Sequence, residues 1–174
     1  LMRCSGLLAI ALGALLAPLA ARATLVRPTT VEAMARRSDA VVRGVIVSRR
    51  SISGSGAKRI VTLVDVETRA VWRGEAPPLV VVVVPGGTVD GLAQHVAGAP
   101  EFTIGEEVAL FLRREGRGRF RVKNLALGKF AIRGGQAAPR LDGVGFVAGE
   151  VTAGERRVEA MSAAELERRV RSAR

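Results

Sequence analysis

Any chemistry in this chain starts from His95, its single histidine. It lies in residues 89–100 (VDGLAQHVAGAP), close to Asp90 and Gln94. An imidazole near a carboxylate is two thirds of a Ser-His-Asp triad, in which histidine takes the serine proton and the acid orients the ring. The serine is the difficulty. A nucleophile elbow reads Gly-x-Ser-x-Gly, and Gly54-Ser55-Gly56 has Ser53 where the first glycine belongs. His95 is therefore expected to be a solvated loop histidine, with a hydrolase built on it as an alternative.

Other centres are no better supplied. Zinc takes three or four nitrogen or sulfur ligands, and one histidine with the lone Cys4 cannot provide them. Calcium needs clustered oxygens. Asp65 with Glu67, and Glu106 beside Glu107, do not form a calcium loop and are expected as surface charge. Asp65, Glu67, Asp90, Glu101 and Glu106 could in principle include a glycosidase pair, but sequence gives no separation between them. Residues 143–149 (GVGFVAG) have the wrong spacing for a dinucleotide loop, and Pro85-Gly86-Gly87 lacks the Lys-Ser/Thr of a phosphate loop. The expectation is no catalytic residue, no metal and no cofactor.

The composition points to contact rather than catalysis. The chain has 174 residues and a formal net charge of +11. Such a charge can attract nucleic acid, anionic glycans or a membrane surface. All but Lys58, Lys123 and Lys129 of its 27 basic residues are arginine. With abundant alanine, glycine and valine, that is also the bias of a GC-rich bacterial genome. Specific single-strand recognition would need exposed aromatic platforms between the cations. There is no tyrosine, and Trp72 and the phenylalanines fall on apolar phases. No specific nucleic acid is expected.

The first residues predict an address. Met2-Arg3 precedes an apolar run over residues 7–19, then Ala21-Arg22-Ala23. A positive start, an apolar middle and a small-x-small end make a signal peptide cut after Ala23. The run is short and interrupted by Gly13 and Pro18, so it would span a bilayer poorly. Cys4 precedes it, which argues against a lipid anchor. The mature chain, residues 24–174, is expected in the periplasm or secreted, without cysteine, disulfide or transmembrane segment.

Along that mature chain, Thr29-x-x-Glu32 has capping-box spacing and opens a short helix over residues 31–37. Residues 40–48 are valine- and isoleucine-rich, which favours a strand. Residues 51–57 (SISGSGA) read as a flexible loop. In 59–72, Val64, Val66, Ala70 and Trp72 share one phase and Asp65, Glu67 and Arg69 the other, as in a half-buried strand. Residues 79–84 (LVVVVV) are apolar throughout and read as a central, doubly covered strand. A long connection follows, to Pro100.

Residues 106–114 form a strand, 115–118 a hairpin turn, and 119–123 a strand with Phe120 and Val122 inward. Residues 129–133 repeat this, with Phe130 and Ile132 inward. Ser162-x-x-Glu165 starts a C-terminal helix over 162–172, with Leu166 and Val170 on one side. The fold expected is mainly β: a small closed or partly open OB-like β-barrel of five or six strands, with a helix at each end, in one domain.

Three segments resemble netrin-like domains, the family that includes tissue inhibitors of metalloproteinases. Residues 38–45 (SDAVVRGV) are similar to its first strand. Residues 66–74, ending Val71-Trp72-Arg73-Gly74, are similar to its second. Phe102-x-x-Gly105-Glu106, running into Leu110-Phe111-Leu112, is similar to its segment of glycine followed by strand. The match covers residues 38–112, and similar strings occur in uncharacterised exported bacterial proteins. The resemblance implies an OB-like barrel, a non-catalytic secreted module and a protein partner. That family inhibits metalloproteases through an N-terminal cysteine, whereas Thr24 stands at the expected mature start, so the zinc-chelating mechanism does not carry over. The expected function is binding of a protein partner outside the cytoplasm, with Asp90, Gln94 and His95 as the contact loop. Weak electrostatic binding of an anionic polymer or cell surface, and inhibition of a secreted protease, are the alternatives.

Overall fold

The computed structural model describes residues 24–26, 29–54, 59–116, 118–140, 144–146 and 159–173. The expected leader, the expected cleavage site and most of the 143–149 glycine run lie outside the described residues. Five strands carry the barrel: β2 (Ala40–Ser53), β3 (Ile60–Gly74), β4 (Leu79–Pro85), β7 (Glu107–Arg114) and β8 (Arg119–Val122). Around it they run β2-β3-β4-β8-β7 and return to β2. All neighbours are antiparallel except β4 and β8, which are parallel. This is a closed OB-like barrel, as the alternating pattern predicts.

Between β4 and β7 the chain makes a hairpin of β5 (Gly87–Val89) and β6 (Leu92–Gln94). After β8 a 3-10 turn over Leu125–Gly128 leads to β9 (Lys129–Arg133), which pairs with the first half of β7. Strands β10 (Gln136–Pro139) and β12 (Met161–Ser162) extend that side of the sheet. A separate parallel pair joins β1 (Thr24–Val26) to β11 (Val144–Phe146). Helices α1 (Val31–Arg36) and α2 (Ala163–Ser172) lie near the two ends of the sequence.

Two apolar cores result, one on each face of β2 and β7. Val42, Ile46, Val64, Val66, Val82, Leu110 and Phe120 fill the barrel. Outside it, Met34, Leu166 and Val170 of the helices meet Val41, Phe111, Phe130 and Trp72. The doubly covered strand is thus β7, whose Val108–Leu112 are all buried. The expectation of a central β4 is corrected: Val80, Val82 and Val84 face the core, while Leu79 is exposed and Val81 and Val83 are half-buried. Five consecutive valines satisfy either pattern, so composition alone cannot place such a strand.

Bulges reset the phases of β2 and β3. Their register skips between Val41 and Val42, between Arg43 and Gly44, and between Ile46 and Ser48. One extra residue turns every later side chain to the other face. Consequently Val71 continues the barrel interior after Val66, while Ala70 and Trp72 pack toward the helices. The single phase expected for Val64, Val66, Ala70 and Trp72 is corrected on this ground. Strand β2 also runs on to Ser53, through the first part of the expected loop.

Both helices are capped by hydroxyls. Ser162 accepts from the Glu165 amide at 3.1 Å, as its spacing predicts. At α1 the cap is Thr30 rather than Thr29, accepting from the Ala33 amide at 3.1 Å. That one-residue shift frees Glu32 to meet Arg169 of α2. Gly74 ends β3 with φ +69, and a Cβ there would run into the Asp39 carbonyl.

Candidate functional site

The hairpin and the segment after it build one end of the barrel. Asp90 and Gly91 take positive φ values of 50 and 76, the two-residue turn that an Asp-Gly pair favours. The hairpin is fastened at its base. Gln94 Oε1 accepts from the Ile60 amide at 2.7 Å, and Gly86 donates to the Ile60 carbonyl at 2.9 Å. Thr62 Oγ1 donates to the Gly86 carbonyl at 2.7 Å. The long connection expected at 85–100 is therefore corrected to an ordered hairpin held against β2 and β3.

Residues 96–106 form the facing wall. Gly105 donates to the Ile46 carbonyl at 2.8 Å, and Ile46 donates to the Glu106 carbonyl at 3.0 Å. Arg49 Nη1 donates to the Phe102 carbonyl at 2.9 Å. From the far side Lys129 Nζ donates to the Glu101 carbonyl and to Glu106 Oε2, the latter at 2.6 Å, and lies 4.8 Å from the Phe102 ring centre. Glu106 Oε2 also accepts weakly from the Thr103 amide. Lys129 and Glu106 are both buried, which corrects the expected surface carboxylate and the outward lysine. Burial pulls the Lys129 ammonium below its ordinary value, and Glu106 opposes that pull.

Between these walls lies a cavity of about 380 Å³. Val64, Val84 and Phe102, members of the barrel core, also line it. Arg49, Thr62, Gln94, His95 and Glu101 bring the polar groups. A mixed lining with a few convergent polar groups is what a binding site needs. Leu92 on the hairpin is 70% exposed, and Ile104 beside Thr103 is 59% exposed.

The three residues expected as the contact loop are divided by the hairpin. Gln94 and His95 line the cavity, with Gln94 committed to Ile60. Asp90 stands at the turn and lines a neighbouring hollow with Leu92, Ala93 and Arg59. Arg49, Thr62 and the 101–103 segment were not among the expected residues. Nothing in local sequence marks them, because bulged β2 and the 96–106 wall bring them together from distant positions. The Asp90-Gly91 pair was a readable hairpin signal.

Among the described residues no three histidine, cysteine or carboxylate side chains gather as a metal site. Among them, too, no helix is long and apolar enough to cross a membrane. Comparison with protein-family models and with curated proteins finds no match to this chain.

Proposed function

We propose that this chain is an exported, non-catalytic barrel module that holds a protein partner outside the cytoplasm. The observation that carries the reading is the pair Leu92 and Ile104, exposed on the two fastened loops that rim the cavity. A lone exposed leucine is ordinary. Two large apolar side chains on pinned backbone are different, because association buries them without the cost of ordering a loop. Asp90 and Gln94 line one hollow with Leu92 and supply polar groups of the kind that surround such anchors in protein contacts. The address comes from the signal-like leader over residues 1–23.

A photo-reactive residue at Leu92 or Ile104, with Glu67 as the control position, tests this in extracellular extracts of the source cell. The expected result is the same protein adduct from both rim positions and none from Glu67. A protease as that adduct would give the inhibitor alternative. Recovery of polysaccharide or DNA alone, or equal labelling from Glu67, would overturn the reading.

A further inference from the structure

Cations gather where α1 ends and β7 ends. Arg36 and Arg37 finish α1, and the chain turns at once into β2. There the Asp39 amide donates to the Leu112 carbonyl at 2.8 Å. Asp39 Oδ2 accepts from the Arg114 amide at 2.7 Å, so the end of α1 lies beside the end of β7. Along β7, Ala109 and Phe111 face the helices, and Arg113 continues their phase. Arg121 of β8 stands directly opposite Arg113, and Arg119 shares its phase. Lys123 follows, its amide donating to the Phe111 carbonyl at 2.8 Å. Arg36, Arg37, Arg113 and Arg119 are exposed, and Lys123 is half-buried. The cavity is elsewhere: Arg49, which lines it, lies toward the other end of β2.

These five cations are unmatched. Among the described residues none of them makes an ion pair. The acids nearby are engaged: Asp39 with the Arg114 amide, and Glu115 with Arg121. Like charges set directly across a sheet, as Arg113 and Arg121 are, repel. An arginine-rich composition does not account for this placement, because the rest of the barrel has arginine and answers it. Arg43 meets Glu107 at 2.7 Å, Arg50 meets Asp65 at 3.1 Å and Arg69 meets Glu67 at 3.2 Å. The arginines of α2 are paired as well.

We infer that this face binds an acidic polysaccharide through the sulfate or carboxylate groups along its chain. A guanidinium offers a planar fork of donors that fits such oxyanions two at a time. A row of fixed cations suits a ligand whose charges repeat. Nucleic-acid bases would need aromatic platforms, and Phe111 and Phe120, the rings on these two strands, are buried. A protein contact or a membrane would use large exposed apolar side chains, and Val47, Leu79, Leu92 and Ile104 all lie on other strands or loops. The expected address outside the cytoplasm is where such polysaccharides occur. The inference goes beyond the partner at the cavity rim and does not rest on it.

The test measures binding of the mature chain to dextran sulfate, with neutral dextran, a thymidine homopolymer and phosphatidylglycerol vesicles as competing probes. Dextran sulfate should bind most tightly and neutral dextran not at all. Its affinity should fall roughly a hundredfold between about 50 and 200 mM salt. Arg113→Glu combined with Arg119→Glu should weaken it about tenfold or more. Arg50→Glu combined with Arg69→Glu changes net charge equally on the matched face and should weaken it far less. Thermal unfolding checks that both double variants remain folded. Leu92→Ser should leave dextran sulfate affinity unchanged, so failure at the rim and failure at this face are read separately. The inference is overturned if the two double variants weaken binding equally, if salt has no effect, if Leu92→Ser abolishes binding, or if the homopolymer or the vesicles bind more tightly.

Discussion

Lys129 and Glu106 meet at 2.6 Å behind the cavity wall, with side chains only 4% and 5% exposed. Their contact joins β9 to the 96–106 segment, since the same ammonium also holds the Glu101 carbonyl. Glu106 Oε1 has no hydrogen-bond partner among the described residues. Removing one member of such a pair strands a buried charge. Lys129→Met or Glu106→Gln should each cost about 3–5 kcal/mol, whereas Lys129→Met with Glu106→Leu should cost much less. Urea unfolding of the three variants checks this, and equal losses in all three would disprove the pairing account.

Titration of the same lysine gives a second expectation. Burial, opposed by Glu106, lowers the Lys129 value from 10.5 in the folded protein. Between the lowered value and 10.5 the unfolded chain keeps a proton that the folded chain has lost. A state that binds more protons is disfavoured as pH rises, so this group's contribution to stability increases through that window. Wild type should gain stability relative to Lys129→Met as solutions are made alkaline, and denaturant midpoints at neutral and alkaline pH would measure it.

Glu32 and Arg169 tie the two helices through two hydrogen bonds of 2.6 and 3.0 Å. The Arg169 guanidinium holds the Glu32 carboxyl below its ordinary value of 4.5. Its contribution is present above pH 4.5 and is lost as acid carries the pH down through the lowered folded value. Each side chain is about a third exposed, so solvent screening keeps the pair near 1 kcal/mol. Glu32→Gln should lose about that much at neutral pH and nothing in strong acid, and added salt should shrink the difference.

Gly74→Ala should destabilise by roughly 2–3 kcal/mol, since it demands positive φ from a residue with a Cβ. The Asp39 carbonyl blocks that Cβ as well. Gly91→Ala has the same backbone strain in open space, and should cost about 1 kcal/mol. Thermal midpoints of the two variants separate strain from collision.

Leu92→Ser and Ile104→Ser should leave stability within about 0.5 kcal/mol, because neither side chain belongs to a core. Capture of the partner should fall in both. Unchanged capture would remove the rim from the proposal.

The barrel was legible because alternation survives in single strands: Phe120 and Val122 inward, Arg119 and Arg121 outward. What alternation cannot carry is an inserted residue. The bulges that send Trp72 toward the helices leave no mark in composition, so the phase read from Val64 and Val66 ran past its validity. Thr29 and Thr30 are chemically equal caps, and only backbone geometry selects Thr30. Gln94 and His95 fall together in the cavity lining because one loop holds both. Arg49, Thr62 and Glu101 join them from three separate segments, which adjacency in sequence does not show. Lys129 looked like an outward lysine until the 96–106 wall covered it.

The parallel ladder between β4 and β8 also bears on kinetics. The β2–β3, β3–β4 and β7–β8 pairings each join strands consecutive around the barrel and close in sequence, whereas β4 meets β8 only after the intervening hairpin and all of β7 have been laid down. The β2–β7 pairing closes a longer loop but returns six paired residues, whereas the β4–β8 seam spends its chain entropy on two. The seam is thus the barrel's weakest stave and the first to spring during thermal fluctuation, and amide exchange at Val81, with Val82 on the β3 side as the comparison, would time its opening.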